Sequence, residues 1–98
     1  MTDNQYYRIP AIIMQDNSLT YFSRLLYGVI LSLSSRKKHC FSHNQYLADV
    51  LCCSVQYVSK ALQELKKKGY IEISYKRENE KIIQRTITPL VIIGRSPL

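Results

Sequence analysis

The chain has 98 residues, of which 46% are hydrophobic, so it can fill the core of one domain. Its net charge of +7 is concentrated between residues 36 and 85, which hold eleven basic and five acidic side chains. No apolar run approaches the about 18 residues of a membrane span, and the N-terminus lacks the regions of a signal peptide, so we expect a cytoplasmic protein.

An N-terminal arm, residues 1–17, precedes the first predicted helix. Residues 6–14 are extended in character, because Pro10 keeps the residue before it out of the helical region. A polar turn follows, and either Ser18 or Thr20 caps the helix. Hydrophobic side chains at helical spacing predict a wide apolar face made of Phe22, Leu25, Leu26, Val29, Ile30 and Leu33. A basic loop over residues 34–39 ends this helix.

The second predicted helix is short and covers about residues 43–52. Before it, residues 40–41 predict a small extended segment. Ser42 followed three residues later by Gln45 matches a capping box, which predicts the start of the helix. Its inward side chains are Leu47, Val50 and Leu51. Cys53 then makes a tight turn into the next helix.

The third helix carries the clearest pattern in the chain. Ser54 is a natural N-cap, and Gly69 is a natural C′ residue at the other end. One helical stripe is apolar and contains Val55, Val58, Leu62 and Leu65. The opposite side projects the polar or aromatic side chains of Gln56, Tyr57, Lys60, Gln63 and Lys67. Two short helices joined by a tight turn, the second amphipathic, indicate a helix-turn-helix.

After this helix the period changes from 3.6 to 2. Residues 70–76 and 81–88 each predict a β strand, and the polar residues 77–80 between them predict a turn. One face of the first strand carries Ile71, Ile73 and Tyr75. We therefore predict an α+β fold, mainly α with a small antiparallel β hairpin, of the winged helix-turn-helix type. The domain spans residues 18–89, and 90–98 form a C-terminal tail or a linker to a further domain.

The motifs along the chain resemble the winged helix-turn-helix domain at the N-terminus of plasmid and phage replication initiators. That group has Leu-Ala-x-x-Leu, Ser-x-x-Thr-Val-Ser-Arg and Leu-x-x-x-Gly-Tyr-Ile patterns. The similarity covers about residues 8–88. The residues that carry it are Leu26-Tyr27-Gly28, Phe41-Ser42-His43-Asn44, Leu47-Ala48, Ser54 with Val58-Ser59-Lys60, Leu62, Leu65, Gly69-Tyr70-Ile71, Arg85 and Ile87.

This resemblance implies binding to repeated double-stranded DNA sites in a replication origin, often as a homodimer. A further C-terminal region in such proteins commonly recruits the replication machinery. The chain departs from the pattern at Tyr57, where threonine is usual, and at Lys60, where arginine is usual. Lysine lacks the planar guanidinium that contacts guanine bidentately, so the departures put the sequence preference in doubt and leave the binding mode intact.

The residues predicted to read base edges share the outer side of the third helix. They are Gln56, Tyr57, Lys60 and Gln63. Glutamine pairs with adenine and lysine reaches the acceptors of guanine. The alternative is that these side chains form only a solvated helix face. Overlap of this helix with the basic segment favours DNA contact, because neutralising phosphates releases counterions.

Two further sets are predicted to contact the DNA backbone. The first set, at the helix starts and along the third helix, comprises His43, Asn44, Ser54, Ser59 and Lys67. The second set lies on the wing and comprises Lys76, Arg77, Asn79 and Lys81. The alternative is helix initiation for His43 and Asn44, a semi-exposed position at the edge of the core for Ser59, and a favourable charge at the helix C-terminus for Lys67. We expect Arg85 to pair with Glu72 across the hairpin rather than to face DNA.

The three cysteines, Cys40, Cys52 and Cys53, do not form a disulfide framework, because their count is odd and two are adjacent. With His39 and His43 they make a loose set of zinc ligands, but the spacing fits no C-x-x-C pair, so we expect small core residues and no metal. No paired carboxylates, phosphate-binding glycine loop or triad is present, so we expect neither an enzyme nor a cofactor.

Other functions stay open from the sequence. A stand-alone transcriptional repressor would use the same DNA-binding elements. A winged helix that binds a protein, such as an inhibitor of a host protein, would not need Gln56 or Lys60. The four tyrosines outside the predicted DNA face are either core or dimer contacts, and they are Tyr6, Tyr7, Tyr21 and Tyr27.

Overall fold

The computed structural model describes residues 6–34 and 40–90. Their helices and strands are α1 (Ala11–Met14), α2 (Tyr21–Leu33), α3 (Asn44–Leu51), α4 (Val55–Lys67), β1 (Ile71–Glu78) and β2 (Lys81–Pro89). The strands pair as an antiparallel hairpin after the helices. The predicted α+β winged helix-turn-helix fold is therefore confirmed, while the predicted 34–39 loop and the tail beyond residue 90 lie largely outside the described residues.

The hydrophobic core lies where the three longer helices meet the base of the hairpin. α2 contributes Leu26 and Ile30, both fully buried, and α4 packs against it through its own apolar stripe. The hairpin closes the core with Ile71 and Ile87. The remaining fully buried aliphatic side chains come from the other elements and include Ile13, Leu47, Val58 and Leu65.

The apolar face of α2 is narrower than the sequence predicts. Thr20 caps the helix by accepting a hydrogen bond from the backbone amide of Ser23 at 3.1 Å. Leu25, predicted to face the core, is 49% exposed. It lies about 100° around the helix from the fully buried Leu26, on the same flank as the exposed Tyr21. The periodic pattern alone does not reveal where neighbouring elements stop covering the helix.

The arm is extended only as far as Pro10, so the prediction of an extended segment over residues 6–14 is wrong for its second half. Residues 11–14 form α1, and the carbonyl of Pro10 accepts hydrogen bonds from the amides of Ile13 and Met14 at 3.0 and 2.9 Å. Proline suits the start of a helix, because it brings no amide that would need a partner there. This turn of helix buries Ile13.

The junction between α3 and α4 differs in two details from the prediction. The N-cap of α3 is His43, without a side-chain hydrogen bond, so the Ser42–Gln45 capping box is wrong. At the other end Cys52 adopts the left-handed conformation (φ 56°, ψ 50°), and the amide of Cys53 donates to the carbonyl of Ala48 at 3.0 Å. The sharp turn is thus made at Cys52, one residue before the predicted position.

The hairpin is longer and its turn tighter than the alternation predicts. Strand pairing continues to Glu78 opposite Lys81, with a bulge between Lys76 and Arg77. Only Asn79 and Glu80 form the turn, and both have positive φ, 52° and 65°. Positive φ at both central residues is the requirement of a type I′ turn. We call this hairpin the wing. Near its base an isolated antiparallel β-bridge pairs Cys40 with Ile87, where the small extended segment was predicted.

Candidate DNA interface

α4 presents a polar face to solvent because its opposite face is buried. Val58, Leu62 and Leu65 are covered by the other elements, as the sequence predicts, and Ala61 joins them. The hydroxyl of Ser54 caps the helix by accepting a hydrogen bond from the amide of Tyr57 at 3.2 Å. Gly69 has a φ of +84° just beyond the C-cap, as a C′ glycine should. The predicted DNA contacts exposed along this helix are Gln56, Tyr57, Ser59, Lys60, Gln63 and Lys67.

Tyr57 occupies the edge of that face and not its centre. Its ring packs on the ring of Phe22 from α2, with the centroids 4.5 Å apart and the planes at 35°. About half of the tyrosine remains exposed. Gln56 and Gln63 lie about two turns apart on the outer face, whereas Tyr57 lies on the flank towards α2. The contact with Phe22 holds the Tyr57 ring in place. Readout of a base by Tyr57 stays a prediction.

Glu64 anchors the same flank of α4 to the start of α2, a contact that sequence reasoning missed. The buried hydroxyl of Ser23 donates to Oε1 of Glu64, and the hydroxyl of Thr20 lies 3.3 Å from the same oxygen. The Ser23 hydrogen bond, more than any other contact, lowers the pKa of the Glu64 carboxyl below its ordinary value. The adjoining cavity holds about 170 Å³, less than the about 300 Å³ at which small-molecule sites begin, so it is a packing feature.

The start of α3 is tied to the wing by Arg85. Its guanidinium donates to Oδ1 of Asn44 and to the carbonyl of Ser42, both at 2.7 Å. Asn44 is half-buried and His43, beside it, is exposed. The two predicted backbone contacts therefore lie together at the N-terminus of α3, within the helix-turn-helix.

The predicted pairing of Arg85 with Glu72 is wrong. In the strand register Arg85 lies opposite Tyr75, and Glu72 lies opposite Thr88. Side chains alternate between the two faces of a strand, so Arg85 shares the inner face with the buried Ile87, whereas Glu72 is on the other face. From the inner face of β2, the Arg85 guanidinium reaches the start of α3.

The wing exposes all four of its predicted DNA contacts: Lys76, Arg77, Asn79 and Lys81. The type I′ turn places Asn79 at the tip, and Lys76 and Arg77 of β1 lie opposite the bulge, whose extra residue is Ile83 of β2. Glu78 and Glu80 are also exposed there and reduce the positive charge of the tip. The wing therefore has hydrogen-bond donors suited to a phosphate backbone. The two carboxylates weaken the positive electrostatic potential around these donors.

The cysteines do not share one environment. Cys40 is buried in the core, as predicted, but Cys52 is exposed at the turn, so a core role is wrong for Cys52. Cys53 is half-buried, and desolvation followed by the charge of Cys52 raises the pKa of its thiol. Within residues 6–34 and 40–90 no group of three histidine, cysteine or acidic residues is arranged to hold a metal ion. His39, one of the considered zinc ligands, lies outside the described residues.

None of the helices in the described ranges combines the length and the apolar character needed to cross a membrane. A family model described as a helix-turn-helix domain matches residues 19–71, from the residue before the cap of α2 to the first residue of β1. No curated protein matches the chain. No solved structure matches it either. The matched segment contains α2, α3 and α4 and spans more than half of the 98 residues, so the chain belongs to the helix-turn-helix domain family, which indicates DNA binding.

Proposed function

We propose that the chain binds double-stranded DNA sequence-specifically, with α4 in the major groove. The observation that carries this proposal is the exposed face of α4, where Gln56, Lys60 and Gln63 project away from a fully packed apolar stripe. Glutamine and lysine supply donors and acceptors that match adenine and guanine edges in the major groove. The packing of α4 against α2 and α3 gives this face a defined position relative to the rest of the domain.

Contacts to phosphates orient the helix on the duplex. His43 and Asn44 at the start of α3, together with Ser54, Ser59 and Lys67 around α4, are suited to one DNA strand, and the basic side chains of the wing are suited to a flanking backbone. The concentration of positive charge in residues 36–85 supports this mode of binding. Each neutralised phosphate releases counterions, so binding falls steeply as salt rises.

As a finer proposal, the chain is the DNA-binding part of a replication initiator of a plasmid or phage and binds origin repeats as a homodimer. Its support is the resemblance of the motifs from the arm to the wing, including Leu26-Tyr27-Gly28 in α2 and Gly69-Tyr70-Ile71 before the wing. In this role the domain is a binding module and not an enzyme, and a region beyond residue 90 recruits replication proteins. A transcriptional repressor is the alternative with the same DNA-binding elements.

Selection of preferred sites from a randomised duplex library at physiological salt tests the proposal. The full chain should recover a defined motif, and Lys60→Ala should lose the preference at one or two positions of that motif. Arg8→Ala is the matched control, because it removes one positive charge from the exposed arm and should recover the same motif. Repeats of the motif in a replication origin support the initiator role, and a single site overlapping a promoter supports the repressor. Recovery of no motif contradicts sequence-specific binding.

A further inference from the structure

Arg85 links two parts of the candidate interface that are far apart in sequence. It lies on β2, 41 residues after Asn44, and donates one hydrogen bond to the Asn44 side chain and one to the Ser42 carbonyl, each 2.7 Å long. A guanidinium donates in a fixed planar geometry. Its two simultaneous hydrogen bonds therefore hold β2 against the start of α3. Arg85 is half-buried, which limits its own access to a ligand.

The contact also determines which side of the Asn44 amide is engaged within the protein. A side-chain amide has one carbonyl acceptor and one NH₂ donor group. Because Arg85 occupies the carbonyl side at Oδ1, the NH₂ group points the other way and remains the part of the amide that suits an acceptor. Phosphate oxygens are acceptors, so the orientation of the amide matches a DNA backbone contact.

The positive charge of Arg85 also favours a phosphate contact at the start of α3. The first turn of α3 contains no acidic residue, and a cation beside a helix N-terminus is electrostatically unfavourable in the free protein. The same combination of guanidinium and helix N-terminus favours an anion close by. The charge of Arg85 and the orientation of the Asn44 amide therefore both favour an anion with acceptor oxygens, such as a phosphate.

We propose that Arg85 is a positioning residue for DNA binding: it orients the amide of Asn44 towards a phosphate and fixes the wing relative to α3. This role rests on the proposed DNA-binding function. Arg85 acts through Asn44 and Ser42 and does not itself read the DNA.

A double-mutant cycle with the full chain tests this role, using fluorescence anisotropy on the duplex selected by the wild-type chain. Arg85→Gln should weaken binding about tenfold, and its effect should be clearly smaller once Asn44→Ala is present, because only the contact with the Ser42 carbonyl is then left to lose. Arg85→Lys should lose nearly as much affinity as Arg85→Gln, because lysine keeps the charge but lacks the planar fork. Arg77→Gln is the control: it removes an exposed wing cation, and its effect should add to that of Asn44→Ala.

The variant Asn44→Asp keeps the test valid if Arg85→Gln fails to fold. Aspartate still accepts from Arg85 at the start of α3, so the fold should be retained, but it has no NH₂ group to offer a phosphate. DNA binding should therefore fall about tenfold or more while the thermal midpoint is unchanged or higher. Wild-type affinity in Asn44→Asp or in Arg85→Lys, or additive effects of Arg85→Gln and Asn44→Ala, would overturn the positioning role. Failure of the wild-type chain to bind any duplex would instead remove the proposed function, and this role with it.

Discussion

The ring of Tyr57 at the start of α4 packs on the ring of Phe22 near the start of α2, with centroids 4.5 Å apart. The contact joins α4, the helix proposed to enter the major groove, to α2, which contributes Leu26 and Ile30 to the core. Tilted aromatic pairs of this kind contribute about 0.5–1.5 kcal/mol beyond the area that they bury. Tyr57 therefore has a structural use that is separate from any contact with a base.

Removing the ring and removing only its hydroxyl should have different effects. Tyr57→Ala should lower the free energy of unfolding by about 1 kcal/mol, because the pair with Phe22 is lost. Tyr57→Phe keeps the pair and should unfold like the wild type in urea. If the hydroxyl reads DNA, Tyr57→Phe will still change the selected motif. Tyr6→Ala, which removes a tyrosine that is 74% exposed, is the control for stability.

Asp16 and Tyr70 give the fold a measurable response to acid. The hydroxyl of Tyr70 donates to Oδ2 of Asp16, and Ser18 donates to Oδ1. Hydrogen bonds from Ser18 first, and then from Tyr70, lower the pKa of Asp16 from 3.8 to about 2. A carboxyl with a lowered folded-state pKa stabilises the fold above its unfolded pKa of 3.8. That contribution is lost as the pH falls through about 2.

Tyr70→Phe should raise the pKa of Asp16 back towards 3.8, because one of its donors is removed. The titration of the Asp16 carboxyl, followed by NMR, measures this directly. Acid unfolding should then begin at a higher pH in Tyr70→Phe than in the wild type. An unchanged Asp16 titration would show that the Ser18 contacts alone set its pKa.

Gly28 should be intolerant of a larger side chain because the arm crosses α2 there. A Cβ atom at this position would lie 2.9 Å from Cγ1 of Ile9 and 3.3 Å from the carbonyl oxygen of Arg8. Gly28→Ala should cost about 1–3 kcal/mol of unfolding free energy, although alanine is the better helix former. The cost should shrink in the Ile9→Ala background, and additive effects in urea unfolding would contradict the close approach.

A glycine in place of Glu80, at the tip of the wing, should raise the stability of the fold. Glu80 has a φ of 65°, where an L-residue is strained by about 1–2 kcal/mol, and the preceding Asn79 already suits a type I′ turn. Glu80→Gly should therefore stabilise the fold by up to about 1 kcal/mol, after the larger entropy loss of glycine. Glu80→Gln, which removes the charge but keeps the strain, is the control for stability. Both variants should bind DNA more tightly, and a gain limited to Glu80→Gly would point to the turn and not to charge.

Local patterns were sufficient to predict α4 and the presence of the wing, although not the full length of its strands. The cap at Ser54, the stop at Gly69 and the change from helical to alternating spacing each depend on neighbours within a few residues. The four-residue α1 is too short to show a period. The exposure of Leu25 and the direction of Arg85 depend on packing between elements, so the apolar pattern and the choice of Glu72 as partner were misleading.

Readout by α4 is tested most directly by measuring affinities for the selected site and for every single base-pair substitution in it. The wild-type chain, Lys60→Ala, Gln63→Ala and Lys67→Ala should be compared at one salt concentration. If α4 reads base edges, Lys60→Ala and Gln63→Ala will each lose about 1–3 kcal/mol of discrimination at one or two base pairs, and Lys67→Ala will weaken binding to all sites equally. Uniform losses in all three variants would contradict base readout by this helix.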